Sequence, residues 1–135
     1  MINKDYFLRL TAEIARVIAA VAGKNVDEAL EYFNGEYDTW LNMNRAELDD
    51  IPVEDFVKTL VEEKGIAVNR LELLAEMLVE EGKLLYEAGR LVESRVQFQK
   101  SLLLFDYVDQ EQQTFDLGRM DKLRIIRELL STEST

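Results

Sequence analysis

The segment LVEEGKLLYEAGRLVESRVQFQKSLLLFD, residues 78–106, decides how the chain folds. Leu78, Gly82 and Leu85 follow at four and three residues, which places them on one face of a helix. Ala88-Gly89-Arg90 reads as a turn. Leu91, Ser94, Phe98, Ser101, Leu102 and Phe105 then share one face of a second helix. Small residues stand at Gly82, Ser94 and Ser101, and large ones at Leu78, Leu85 and Phe98. Such a pattern suits close packing, because a Gly or Ser on one helix makes the dent that a large residue on its partner fills. The expectation is a helical hairpin, with helices over about Val68–Ala88 and Leu91–Tyr107.

Composition extends the helical reading to the whole chain. One proline and six glycines leave few breakers in 135 residues, and Leu, Glu and Ala are plentiful. Apolar residues make up 47 % and charged residues 32 %, a globular rather than a disordered balance. The length suits one domain. Cysteine and histidine are absent. Disulfides, Ser-His-Asp and Cys-His nucleophile systems, Cys/His zinc sites and the Glu-x-x-His ligands of di-iron bundles are therefore excluded. The absence of cysteine fits a reducing, cytoplasmic setting. The formal charge of -11 repels phosphate backbones and anionic headgroups, so neither nucleic acid nor a membrane is an expected partner. A basic protein surface would be attracted.

Working toward the N-terminus, Phe7, Leu10, Ile14, Val17, Ile18 and Val21 form one stripe of a helix over Lys4–Ala22, with Gly23 as its stop. Its apolar run, Val17 to Ala22, is shorter than the ~7–15 residues of a signal core, and Glu13 and Arg16 sit directly before it. A second helix, Val26–Asn42, is capped by Asn25 with Glu28 three residues on, and Gly35 falls inside it. Asn44 and Glu47 can cap a short helical turn. Pro52 suits the first turn of a third helix carrying Val53, Phe56, Val57, Leu60 and Val61 and ending at Gly65. Beyond the hairpin, a last helix is expected over Gln110–Leu130, with Asp109 and Gln112 as caps, then a frayed Ser131–Thr135 tail. The expected organisation is one all-α domain of about six helices in antiparallel pairs. N-terminal helices occupy residues 1–65, the hairpin 66–108, a capping helix 109–130 and the tail 131–135.

The hairpin resembles a tetratricopeptide repeat. Matching positions are Leu78, Glu81-Gly82 and Leu85 on the first helix, and Ser94, Phe98 and Ser101 on the second. Glu81 stands where that pattern has Leu, and Asp106 where it has a closing Pro. Leu117-Gly118 could begin a second unit. The whole chain is also similar to a group of small bacterial helical proteins that open with Asp-Tyr-x-x-Arg, here Asp5, Tyr6 and Arg9. That likeness implies a bacterial cytoplasmic origin and a tetratricopeptide-like superhelix or bundle, and it supplies no activity.

In repeats of this kind the first helix presents a concave face to partners. Carried onto this chain, that face is Glu76, Val79, Lys83, Tyr86 and Glu87. The resemblance thus implies a groove for an extended peptide or a partner helix, unless other helices of the chain cover it. Other groups admit other readings. Asp49, Asp50, Glu54 and Asp55, or Asp106, Asp109 and Glu111, could hold a hard cation, but acidic residues also collect at helix N-termini for electrostatic reasons. Tyr6, Tyr32, Phe33, Tyr37 and Trp40 could line a site or fill a core. Ala12, Ala15, Ala19 and Ala22 could pack on a second copy of the chain, giving a homodimer, or on another of its own helices. The sequence therefore predicts a non-catalytic interaction module, an adaptor or scaffold, with no catalytic residue, metal or cofactor. The alternatives are a carboxylate-based small-molecule or metal binder and a structural subunit of a larger assembly.

Overall fold

Gly82 sits where two helices press together. A Cβ built there would lie 2.6 Å from Cε1 of Phe98, inside any normal carbon contact. Only a residue without a side chain admits the aromatic ring so close to the backbone. Ser94 faces the same point and donates from Oγ to the Gly82 carbonyl at 2.8 Å. Leu78, Leu85, Ser94, Phe98 and Ser101 are all buried with it. The turn between the helices uses Gly89 at φ +79°. Arg90 N donates to Leu85 O at 2.9 Å and Gly89 N to Tyr86 O at 3.0 Å, which satisfies carbonyls that the helix end would leave open.

The computed structural model describes the backbone of residues 4–112 and 117–133, and the side chains of residues 8–112 and 118–131. In chain order the elements are α1 (Lys4–Val21), α2 (Val26–Leu41), α3 (Arg45–Asp50), a 3-10 turn (Val53–Asp55), α4 (Phe56–Lys58), a π-helical turn (Thr59–Glu63), α5 (Val68–Glu87), α6 (Leu91–Gln112) and α7 (Leu117–Glu133). The fold is all-α, and the described residues include no strand. The Asp5 and Tyr6 side chains, on which the bacterial likeness rests, lie outside the described residues, as do the Phe7 and Leu117 side chains and the end of the tail.

Helix starts follow local chemistry. Asn25 accepts from Glu28 N at 2.9 Å, and Gly35 passes within α2 without breaking it. Asn44 and Glu47 form a complete capping box, so the expected short turn is a helix of its own, α3. The third helix expected over Val53–Gly65 is instead irregular. Pro52 precedes its first turn, and Lys64 N reaches back five residues to Thr59 O at 3.0 Å. Phe56 and Leu60 of this segment are both fully buried.

The C-terminal boundaries also differ from expectation. α6 continues to Gln112, beyond Tyr107, and α7 begins at Leu117 rather than Gln110. Packing holds that extra turn: Val108 is buried, and Asp109 accepts a charged hydrogen bond from Arg119. Ser131 is still helical, since α7 reaches Glu133.

α5 is the central element. It packs along α6 and also against α1 and α2. One apolar stripe was expected on it, yet Leu73, Ala75, Met77 and Val79 are buried as well, because neighbours cover more than one side. The buried cluster runs from Val17 and Val21 of α1 through α5 and α6 to Leu123 and Ile126 of α7.

Candidate binding groove

The outer side of α5 is a furrow walled by α1 and α7. Toward α7, Lys83 and Val79 meet Asp121, Lys122, Ile125 and Leu129 around a space of about 280 Å³. Toward α1, Lys83, Glu80 and Glu87 meet Ile18, Val21 and Lys24 around about 370 Å³. Further along, Glu76 lies under Leu10 and Ile14 of α1 and Lys122 of α7. Lys83 is shared by the first two spaces and Lys122 by the first and third, so they run together along one helix face. Its shoulders are apolar and solvent-facing, with Ile18 42 % and Ile125 44 % exposed.

The five residues assigned to a partner surface therefore divide. Lys83 is exposed at the centre of the furrow and forms a 3.4 Å ion pair with Glu80. Glu87 is exposed along its α1 side. Glu76 is largely covered and tied to Lys122 at 2.5 Å, so it seats α7. Tyr86 is 39 % exposed but is not part of the furrow lining. Val79 is completely buried and offers a partner no surface. Its position is one step toward α7 from Lys83, where the last helix closes over α5.

α7 is seated by buried charge. Arg119 donates to Glu72 and to Asp109, and its guanidinium lies 5.2 Å from the centre of the Phe105 ring. Glu72 is 2 % and Arg119 7 % exposed. Asp109 and Asp106, which could have held a cation, thus face Arg119 and Arg127. Among the described residues no group of three or more acidic side chains is placed to hold a metal ion.

A second polar cluster lies deeper, and sequence reasoning missed it. Glu81 is fully buried between α3 and α6. It accepts from Arg45 Nε at 2.7 Å and from Gln97. Burial raises the Glu81 carboxyl, and Arg45 and Gln97 only partly offset that. The Tyr37 hydroxyl is buried beside the same carboxylate without a well-formed hydrogen bond; burial and then Glu81 hold it well above the usual phenol range. Lys100 is also buried, with its pKa lowered by burial. It donates to Leu48 O at 2.9 Å and lies 4.9 Å from the centre of the Phe56 ring. One signal could have found this cluster: Glu81 falls in phase with Leu71, Leu74, Leu78 and Leu85, where an apolar residue belongs.

The early aromatic residues divide between core and surface. Phe33 and Tyr37 are buried and stacked, with ring centres 6.2 Å apart. Tyr32 and Trp40 join an ionic network on α1 and α2, in which Arg16 bonds Tyr32 and Glu36 while Trp40 Nε1 donates to Glu36 at 3.0 Å. No helix among the described residues is long and apolar enough to cross a membrane. No family model matches the chain, and neither a curated protein nor a solved structure matches it.

Proposed function

We propose that this chain is a non-catalytic protein–protein interaction module, an adaptor or scaffold of tetratricopeptide-like type, working in a bacterial cytoplasm. The observation that carries the reading is the furrow along α5. It has exposed apolar shoulders, lysines at Lys24, Lys83 and Lys122, and carboxylates at Glu80, Glu87 and Asp121 along its rim. The Gly82–Phe98 contact adds support for the tetratricopeptide-like part, since small-against-large packing at that spacing is what such hairpins use.

An extended or helical segment with apolar side chains and a basic flank suits this furrow. Its apolar groups would fill the space between Ile18 and Ile125, and its cations would meet the rim carboxylates. The net charge of -11 would speed the approach of such a partner. The test is capture from the native host with the wild-type chain and with Lys83→Glu, Tyr86→Ala and Ile125→Asp variants. Loss of a discrete partner with Lys83→Glu and Ile125→Asp is the expected result. Capture unchanged in all three variants would refute the furrow as the binding surface.

A further inference from the structure

The start of α5 borders a further space of about 260 Å³, which lies between α1, α2 and α5. Leu10, Trp40 and Leu73 give it apolar walls; Leu73 is buried and the other two are half-buried. Arg9, Asn69 and Arg70 are exposed at its rim, together with the half-buried Glu13. Glu13 directs Oε2 to Arg16 at 2.9 Å, and Arg16 pairs in turn with Glu36. Asn69 Oδ1 accepts from Arg70 N at 3.0 Å, which leaves the Asn69 Nδ2 to donate. The two rim arginines differ from the others in the chain. Six of the nine arginines face a carboxylate, and Arg95 bonds the Leu130 carbonyl. Arg9 and Arg70 have no ion pair or side-chain hydrogen bond among the described residues, in a chain with 27 acidic residues. Both border this one space.

We propose that this space binds a small organic monocarboxylate, with the carboxylate held by Arg9 and Arg70 and the hydrocarbon body against Trp40 and Leu73. Guanidinium groups hold a carboxylate through paired, charge-assisted hydrogen bonds, and the Asn69 amide adds a further donor. Charge sets the valence of the anion. Two arginines and Glu13 sum to +1 at the rim, which a monoanion cancels and the dianion of a phosphate monoester exceeds. The net charge of -11 does not prevent this, because salt screens exposed charges beyond about 8 Å at physiological ionic strength. Volume sets the size. Water occupies ~30 Å³ per molecule, so 260 Å³ has room for about nine non-hydrogen atoms, the size of a single-ring aromatic acid. The apolar walls require such a body, since a bare anion would leave Trp40 and the two leucines wet. Lys83, Ile18 and Ile125 of the furrow do not border this space.

Trp40 is the only tryptophan in the chain, so its indole N–H gives a single NMR signal that reports on the site. Titration with benzoate near neutral pH and at constant ionic strength should shift that signal to saturation. Benzyl alcohol keeps the ring without the charge, and acetate keeps the charge without the ring. Each should bind roughly tenfold more weakly than benzoate or worse. Phenyl phosphate, a dianion, should also bind more weakly. Arg9→Gln and Arg70→Gln should each weaken benzoate about tenfold, the scale of one lost charge-assisted hydrogen bond. Both side chains are exposed, so the melting curves should not change. Glu13→Gln should tighten benzoate a few-fold by removing a like charge from the rim. Benzyl alcohol binding as well as benzoate, or benzoate affinity unchanged in both arginine variants, would reduce the space to an apolar cleft and overturn the proposal. So would a shift that never saturates, or phenyl phosphate binding more tightly than benzoate. Lys83→Glu should leave the benzoate titration unchanged, which keeps this result separate from the furrow reading.

Discussion

Gly82→Ala tests the helix crossing on which the architecture rests. On an isolated helix the change should stabilise by about 1 kcal/mol, because alanine is the better helix former. Here the new Cβ would stand 2.6, 2.8 and 3.0 Å from three ring atoms of Phe98. Ordinary carbon contact is near 3.5–4.0 Å, so the ring must withdraw by about 1 Å. Phe98 is 1 % exposed, and overpacking a tight core costs about 1–3 kcal/mol. The small space toward α7 that Phe98 borders lets the ring yield in part, which favours the middle of that range. The net expectation is a loss of about 1 kcal/mol, roughly 3–5 °C in melting temperature for a chain of this size. Phe98→Leu alone should cost about 1–2 kcal/mol, less than the ~3–5 kcal/mol of a Phe→Ala change. Combined with Gly82→Ala it should cost less than the sum, because the shorter side chain relieves the collision. Thermal and urea unfolding of the four proteins measures that coupling. A stabilising Gly82→Ala, or a coupling below about 0.5 kcal/mol, would refute the packing argument.

Other substitutions probe individual contacts. Ser94→Ala should cost about 1 kcal/mol in urea unfolding through the lost hydroxyl bond to the Gly82 carbonyl, at the low end for a buried pair because that carbonyl is also a helix acceptor. Asn44→Ala should cost about 1 kcal/mol by removing the side-chain half of the α3 capping box, the bond from Glu47 N to Asn44 Oδ1. Glu81 supplies a pH test. Its carboxyl is raised above 4.5 by burial, so the folded chain holds that proton more tightly than the unfolded chain. Stability from this group is fully present below pH 4.5 and falls as pH rises through the raised value. The wild type should therefore lose stability relative to Glu81→Gln as pH climbs from about 4.5, and melting curves in which the variant loses more would contradict this placement of the carboxylate.

The residues that showed the fold in advance are those whose meaning is local. Gly89 as a turn, Asn25 and Asn44 as caps, and the period of Leu78, Gly82 and Leu85 depend only on neighbours in the chain. Helix ends fixed by distant contacts were not legible. Nothing near Tyr107 says that α6 continues, because Arg119 and the core around Val108 hold the extra turn. The Val53–Glu63 segment shows a regular apolar period, and nothing in that period signals that its turns change width. Val79 illustrates the same limit at the candidate site. Its spacing puts it beside Lys83, but whether that face is open depends on where α7 settles, some forty residues later.

That dependence makes the seat of α7 the step between the core and the furrow. Burying the Glu72–Arg119 pair forfeits the hydration of both charges, so it specifies where α7 lies more than it adds stability. Removing one partner is another matter, since the remaining charge stays inside. Glu72→Gln keeps the shape and leaves Arg119 with Asp109 and the Phe105 ring. With those contacts retained, the loss should fall near the low end of the ~3–5 kcal/mol for a broken buried pair, about 3 kcal/mol. If that loss falls on the docking of α7, its amides should exchange with solvent roughly a hundredfold faster, while those of α5 and α6 change much less. The furrow would then lose its Ile125 shoulder for much of the time, and partner capture should weaken although no furrow residue has been altered. Exchange accelerated equally in all three helices would show instead that the pair supports the whole core, and the furrow could not be tuned through it.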